Sequence, residues 1–217
     1  MAAMRQLLAL VFTAAASTVA AHTSSVHIRP LTPAQRQAVI QAHEWHPGCP
    51  VALSGLRVLT VPYYGFDRRT HFGQIVVNAH VAAPLGKVFL KLYRMRFPIR
   101  DMSFWRQYGS GPQPDDETAS FECRDAVPSP CNGNAKGTHW SMHAYGEAVD
   151  LDPRENPYVG CGMTRDKTAL SYLKRSWHRP GMVTPAVLHA FESIGWGWGG
   201  SWYGSTKDYM HFSINGH

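Results

Sequence analysis

The chain of 217 residues is 44% apolar and 17% charged, with 19 Gly and 15 Pro, a balance that excludes a disordered polyelectrolyte and fits one folded domain with room for a pocket. Its 21 Lys and Arg against 15 Asp and Glu give +6, which favours encounters with polyanions such as nucleic acid, an anionic membrane or a phosphate-bearing cell wall. The basic residues are spread along the chain with no Lys/Arg block interleaved with aromatics, a pattern unlike a dedicated nucleic-acid binder.

Residues 1–21 carry one basic residue, Arg5, then the apolar run from Leu7, and end in Val19-Ala20-Ala21, the pattern of a secretory signal cleaved after Ala20 or Ala21. The apolar stretch from Leu7 to Ala20 is 14 residues, shorter than the roughly 20 that span a bilayer. Thr32-Pro33 predicts a helix cap followed by proline at the first turn, with Ala34, Ala38, Val39 and Ala42 as its apolar stripe and an end before Pro47-Gly48. Strands are predicted at Leu56 to Val61 and Gly73 to Val77, rich in β-branched residues. From Ala82 to Met95, the spacing of Leu85, Val88, Phe89, Leu92 and Met95 predicts a helix with one buried face, ended by Phe97-Pro98-Ile99.

Ser110 to Lys136 is rich in Gly, Pro, Asp, Ser and Asn and reads as loop around a short extended piece at Ser120 to Arg124. Asp115 and Asp116 within it read as caps of a short helix or as substrate contacts. Glu147 to Leu151 predicts a strand with Val149 and Leu151 on one face and Ala148 and Asp150 on the other. Thr184-Pro185 opens a further helix with Val187, Leu188, Phe191 and Ile194 inward and Gly195 at its close. Met210 to Ile214 alternates Met210, Phe212 and Ile214 against His211 and Ser213. Cys49, Cys123, Cys131 and Cys161 form no C-x-x-C pair, and an even count in an exported chain predicts two disulfides with three possible connectivities.

Ser141-Met142-His143-Ala144-Tyr145-Gly146-Glu147-Ala148-Val149-Asp150 and Asp208-Tyr209-Met210-His211 bring metal-ligand types beside small residues. A hydrolytic zinc site needs three protein ligands, commonly imidazole nitrogen and carboxylate oxygen, plus an open position. His143, Asp150 and His211 supply that set; Gly146 allows the turn between them, and Ala148 is expected to leave space above the strand. Asp208 is the candidate proton acceptor and donor, provided the chain bends near Tyr209, since on a straight strand Asp208 and His211 face opposite sides. Arg124 is the candidate oxyanion-stabilising cation, with Arg94, Arg96, Arg100 and Arg106 as rivals. His139 and His143 have the helical spacing of an H-E-x-x-H site, but Trp140 stands where its glutamate is required. The remaining histidines, His217 among them, read as surface or core residues. The run Gly195 to Trp202 reads equally as core or as an aromatic wall for a substrate.

Ser-x-His-x-x-Gly-x-Ala-x-Asp followed by Asp-x-x-His resembles the zinc D-alanyl-D-alanine carboxypeptidase family, which includes VanY-like carboxypeptidases and L-alanyl-D-glutamate endopeptidases and shares its metal-site fold with the hedgehog signalling domain. Gly48-Cys49-Pro50, Phe97-Pro98-Ile99, Phe121-Glu122-Cys123-Arg124, Trp140-Ser141, Asn156-Pro157-Tyr158 and Trp198 to Trp202 extend the resemblance over about residues 45 to 214. Where relatives commonly carry an Asn-rich stretch, this chain has Asp115 to Ser120. The resemblance implies an α+β fold, an antiparallel sheet flanked by helices on the hedgehog/DD-peptidase plan, with zinc on one sheet face. It also implies zinc ligands His143, Asp150 and His211, catalytic Asp208 and Arg124, and Ser141 beside the substrate, although Ser141 reads equally as a local hydrogen-bonding residue; Trp202 joins Ser141 as the candidate substrate wall. Relatives often carry the cysteines matching Cys49 and Cys123, which would leave Cys131 for Cys161. The expected protein is thus a signal (1–21), an N-terminal segment packed on the domain (22–44) and a catalytic domain (45–217). It would act as a secreted monomer on peptidoglycan stem peptides, with no nucleic-acid or membrane partner. A non-catalytic zinc module that binds wall or protein is the alternative.

Overall fold

A hairpin of two long strands carries the architecture of this computed structural model, which describes residues 25–111, 116–129, 131, 137 and 139–217; the expected signal segment and Asp115 lie outside them. Strand β1 (His27–Pro30) pairs antiparallel with β2 (Leu56–Gly65), which pairs antiparallel with β3 (Thr70–Asn78) in a register running from Leu56 opposite Asn78 to Tyr64 opposite Thr70. The short β4 (Pro98–Ile99) lies parallel to the far end of β2. Strand β2 is buried on both faces along most of its length and β3 over Ile75 to Val77, so apolar residues run consecutively there instead of alternating with polar ones. Leu59, Val61, Ile75 and Val77 pack under helix α2 (Ala79–Arg94), whereas Leu56, Val58 and Val76 pack with Leu31, Phe104, Tyr108 and Phe121. Both strands run several residues beyond the predicted bounds, to the hairpin at one end and to Asn78, the α2 cap, at the other.

Helix α1 (Pro33–Gln41) begins at Thr32, whose side chain accepts the Gln35 N–H while Gln35 returns the bond, a reciprocal cap. In α2, Leu85, Val88, Phe89 and Leu92 face the core as predicted, but Met95 is exposed because the helix has already ended at Arg94. Helices α3 (Phe104–Tyr108) and α4 (Pro185–Glu192) follow; in α4, Val187 and Phe191 are buried, Leu188 and Ile194 pack at the core margin, and Gly195 closes the turn at φ 81.

The second half forms two smaller sheets. Strands β5 (Ala148–Asp150), β9 (His211–Ser213) and β7 (Gly197–Trp198) are antiparallel with β9 central, and β6 (Tyr158–Val159) pairs with β8 (Lys207–Asp208) as a separate ribbon. The class is mixed α and β with antiparallel sheets, but among the described residues there are three sheets where one was expected, and β2 with β4 is a parallel pair. The predicted extended piece at Ser120 to Arg124 makes no ladder; isolated bridges at its flanks, Ala119 with Asp150 and Asp125 with Trp140, hold it. The predicted alternation at Met210 to Ile214 holds only for Phe212, which enters the core. Ile214 is exposed, while His211 and Ser213 are buried on the other face. Cys49 bonds Cys123 and Cys131 bonds Cys161. Among the described residues no helix is long and apolar enough to cross a membrane.

Buried acids brace the loops behind β5. Asp116 accepts the Arg154 backbone N–H and pairs with Arg100 at 2.8 Å, so it is neither a helix cap nor a substrate contact. Glu117, 8% exposed, accepts the Ser103 N–H at 2.7 Å, and burial pushes its carboxyl up from 4.5 to about 7. A group raised on folding contributes stability below its unfolded value and loses that contribution as pH climbs through the folded value. Chemical denaturation should therefore show Glu117→Gln, which keeps the acceptor without the charge, more stable than wild type at pH 8 and converging on it below pH 4.5.

Candidate metal and catalytic site

Ser141 opens a 3-10 turn, Met142–Tyr145, by accepting the His143 N–H on its hydroxyl, and Gly146 ends it at φ 67. A Cβ at Gly146 would lie 2.7 Å from the Asn78 nitrogen, so position and conformation both demand glycine. His143 is buried with Nδ1 2.5 Å from the Ser120 carbonyl. Nδ1 thus carries the proton and donates it to that oxygen, leaving the Nε2 lone pair free, as metal-ligating histidines are commonly oriented. Pairing of β5 with β9 sets Asp150 directly opposite His211.

His143 Nε2 lies 3.2 Å from both Asp150 Oδ1 and His211 Nδ1, and these two are 3.3 Å apart. Tetrahedral zinc with bonds of roughly 2.05 Å separates its ligands by about 3.3 Å, so this near-equilateral triangle fits the ion. With Nδ1 turned to that centre, the His211 proton sits on Nε2, which is buried and has no hydrogen-bond partner among the described residues. Burial raises the Asp150 carboxyl, but His143 and His211 outweigh it and hold the group well below the ordinary carboxylate range. Burial pulls the His143 imidazole down, and Asp150 reverses the sign. These groups favour positive charge at the centre of the triangle.

The bend that Asp208 requires is present. Strand β8 ends at Asp208, Tyr209 and Met210 leave the ladder, and β9 restarts at His211 in a different sheet. The break is held by Trp198 Nε1 donating to the Tyr209 carbonyl at 2.8 Å and by the Leu151 N–H donating to Met210 at 3.0 Å. A Cβ at Gly199 would lie 2.6 Å from the Asp208 carbonyl, so the Trp198-Gly199-Gly200 run permits this approach. Burial, then the nearby Asp150, push the Asp208 carboxyl up to about 7 against the opposing pull of His211 and Arg124. Its Oδ1 is buried without a hydrogen-bond partner among the described residues.

A cavity of about 700 Å³ opens over these groups, lined by Arg124, Ser141, His143, Asp150, Trp202, Asp208 and His211 among others. Arg124 Nε donates to Glu122 at 2.7 Å, and the backbone links Arg124 to Ser141 at 3.0 Å. None of the rival arginines lines this cavity: Arg100 is paired with Asp116 and Glu155, Arg106 with Asp101, and Arg94 and Arg96 line another. The tryptophan run divides: Trp196 is core, Trp198 packs against the core, and Trp202 lines the cavity with its ring stacked on His217. Ala148 is fully buried beside Ser120 and does not line the cavity, contrary to the expected open space over β5. Sequence reasoning missed Tyr158 and Arg165, and set aside His139 and His217, all of which line the cavity. It also missed the Ser120 carbonyl, since a backbone acceptor carries no mark in the sequence.

Residues 134–214 match a family model described as D-alanyl-D-alanine carboxypeptidase. That segment contains Ser141, His143, Asp150, Trp202, Asp208 and His211 and excludes Arg124. Comparison with curated proteins and with solved structures returns no match. The matched segment supports the zinc D-alanyl-D-alanine carboxypeptidase family that the sequence resembles.

Titration of metal-free protein with Zn²⁺ should saturate at one equivalent and raise Tm. Asp150→Asn or His143→Ala should weaken binding by more than the roughly 10–100-fold that loss of an outer partner costs. Because the ligands must be deprotonated to bind, affinity should fall as pH is lowered.

Proposed function

We propose that the protein is a secreted zinc peptidase that hydrolyses a peptide bond in peptidoglycan stem peptides, either releasing terminal D-alanine or cutting between L-alanine and D-glutamate. The observation that carries this reading is the juxtaposition, in one open cavity, of the His143, Asp150 and His211 triangle with a separate buried carboxyl, Asp208. The family match at residues 134–214 supports a peptidase acting on peptidoglycan at a coarse level. Arg124 and Arg165 on the cavity wall suit a substrate that carries carboxylates, as stem peptides do. The hedgehog/DD-peptidase plan, with residues 22–44 as an N-terminal segment on a domain of 45–217, and a monomeric protein without nucleic-acid partners, belong to the same proposal.

His143, Asp150 and His211 would hold zinc, which supplies Lewis acidity toward the scissile carbonyl and toward an attacking water. Asp208 would take the water proton and return it to the departing amine, its burial favouring the protonated carboxyl between the two transfers. Arg124 steadies the negative charge that develops on the carbonyl oxygen. Trp202 offers a flat apolar wall to the peptide, and Ser141 keeps the His143 turn in place while its side chain lines the floor.

Asp208→Ala should retain zinc and lose roughly 10²–10⁴-fold in turnover, the range set by general acid–base catalysis. Mass spectrometry of muropeptides after digestion, with and without a chelator, reads both the bond cut and the metal requirement. Near wild-type turnover by the Asp208→Ala variant, or products unchanged by chelation, would overturn the mechanism.

A further inference from the structure

Three arginines outside the candidate active site converge on a second cavity. About 390 Å³ in volume, it is lined by Tyr64, Arg68, Thr70, Tyr93, Arg94 and Arg96, shares no lining residue with the catalytic cavity and contains no acid. Among the described residues no carboxylate pairs with Arg68, Arg94 or Arg96, whereas Arg100, Arg106, Arg124 and Arg154 each have one. Nearby Asp67 is turned to the His71 ring and the Arg69 N–H.

Two of the three occupy backbone positions where glycine is the ordinary residue. Arg68 sits at φ 63 in the β2–β3 turn, with its N–H on the Gly65 carbonyl and the Gly65 N–H on the Arg69 carbonyl, the turn whose left-handed position favours glycine. Arg96 sits at φ 54 just past α2, where its N–H reaches the Tyr93 carbonyl and the Phe97 N–H reaches Leu92, the paired bonds of a glycine-type helix end. Each left-handed arginine costs stability that glycine would spare, and both side chains line the same cavity. Arg96 lies over the ring of Tyr64, itself a residue of the cavity wall, 6.0 Å from its centroid, whereas no ring or carboxylate among the described residues engages Arg68.

The geometry points to a phosphate-binding pocket, in which the guanidinium groups of Arg68, Arg94 and Arg96 grip a phosphoryl group of an anionic envelope polymer. Guanidinium is the side chain suited to bidentate hydrogen bonding of phosphate oxygens. The Thr70 and Tyr93 hydroxyls, 2.9 Å apart, add hydrogen-bonding capacity at the wall. A small half-open recess ringed by six residues has room for one phosphoryl group at a time, as a flexible polyol chain would present it, and not for the extended run of backbone contacts a nucleic-acid duplex uses. The polymer as source rests on the proposed cell-wall function; the pocket's preference for phosphate does not.

The test compares wild type with Arg68→Gly/Arg96→Gly, a change that relieves both left-handed positions. Calorimetric titration with inorganic phosphate should be saturable in wild type and at least about tenfold weaker in the variant, as expected for losing charge-assisted bonds. A glycerol-phosphate oligomer should bind wild type more tightly than inorganic phosphate at equal salt, and a DNA duplex should not compete with it. The variant should melt at the same or higher temperature and hydrolyse a short soluble stem peptide at the wild-type rate. Absence of saturable phosphate binding, or equal binding by the variant, overturns the pocket; an oligomer no tighter than phosphate, or displaced by DNA, overturns the polymer assignment. If the peptidase reading fails, both proteins lack hydrolysis while the titrations still read the pocket.

Discussion

Three lone-pair donors held 3.2–3.3 Å from one another, two of them on nearly buried rings, persist only if positive charge sits among them. Much of the second half of the fold is arranged to keep them there. The β5–β9 register sets Asp150 beside His211, and the Ser120 carbonyl commits the His143 proton to the far side of its ring. The turn through Gly146 presses against Asn78 at the end of β3, so the large sheet serves as the wall against which the ligand turn is set. Asp208 lies across the bend, where burial and then the Asp150 charge raise its carboxyl against the pull of His211, whereas Asp150 is held low by the two imidazoles beside it.

The loops leaving β5 are secured by polar groups instead of apolar mass. Asn156, fully buried, donates to the carbonyls of Leu151, Asp152 and Gly181 and accepts from Val183 and Arg175, so one amide ties four stretches of chain. Arg100 bridges Asp116 and Glu155 and stacks on Phe66. Such networks hold one arrangement because each member left unpaired would carry its full desolvation cost. The cavity wall near Pro153 and Pro157 inherits its shape from this bracing.

What the sequence made legible follows from how local each signal is. Thr32-Pro33 and Thr184-Pro185 announce helix starts because a cap is built within four residues, and the α2 stripe announces its buried face. His143, Asp150 and His211 were readable as a ligand set by residue type and spacing, and the structure brings them together. The two small sheets were not readable as separate, since strands of two or three residues carry too little pattern to reveal their partners. Arg165 and His217 reach the cavity by tertiary folding alone, and no neighbouring residue in the sequence signals it. Arg68 carries no mark in the sequence, and Arg96 reads there only as a rival of Arg124, until their backbone angles are known.

The Cys131–Cys161 crosslink lies close in sequence to two groups that line the candidate active-site cavity, Ala126 to Pro128 on one side and Thr164 and Arg165 on the other. None of the metal-triangle residues belongs to either group. Opening that bond alone would therefore loosen the entrance, whereas opening Cys49–Cys123 would free the stretch that carries Arg124 beside the metal triangle. In the proposed peptidase, both the mouth of the cavity and its arginine wall would thereby be tied to an oxidising surrounding.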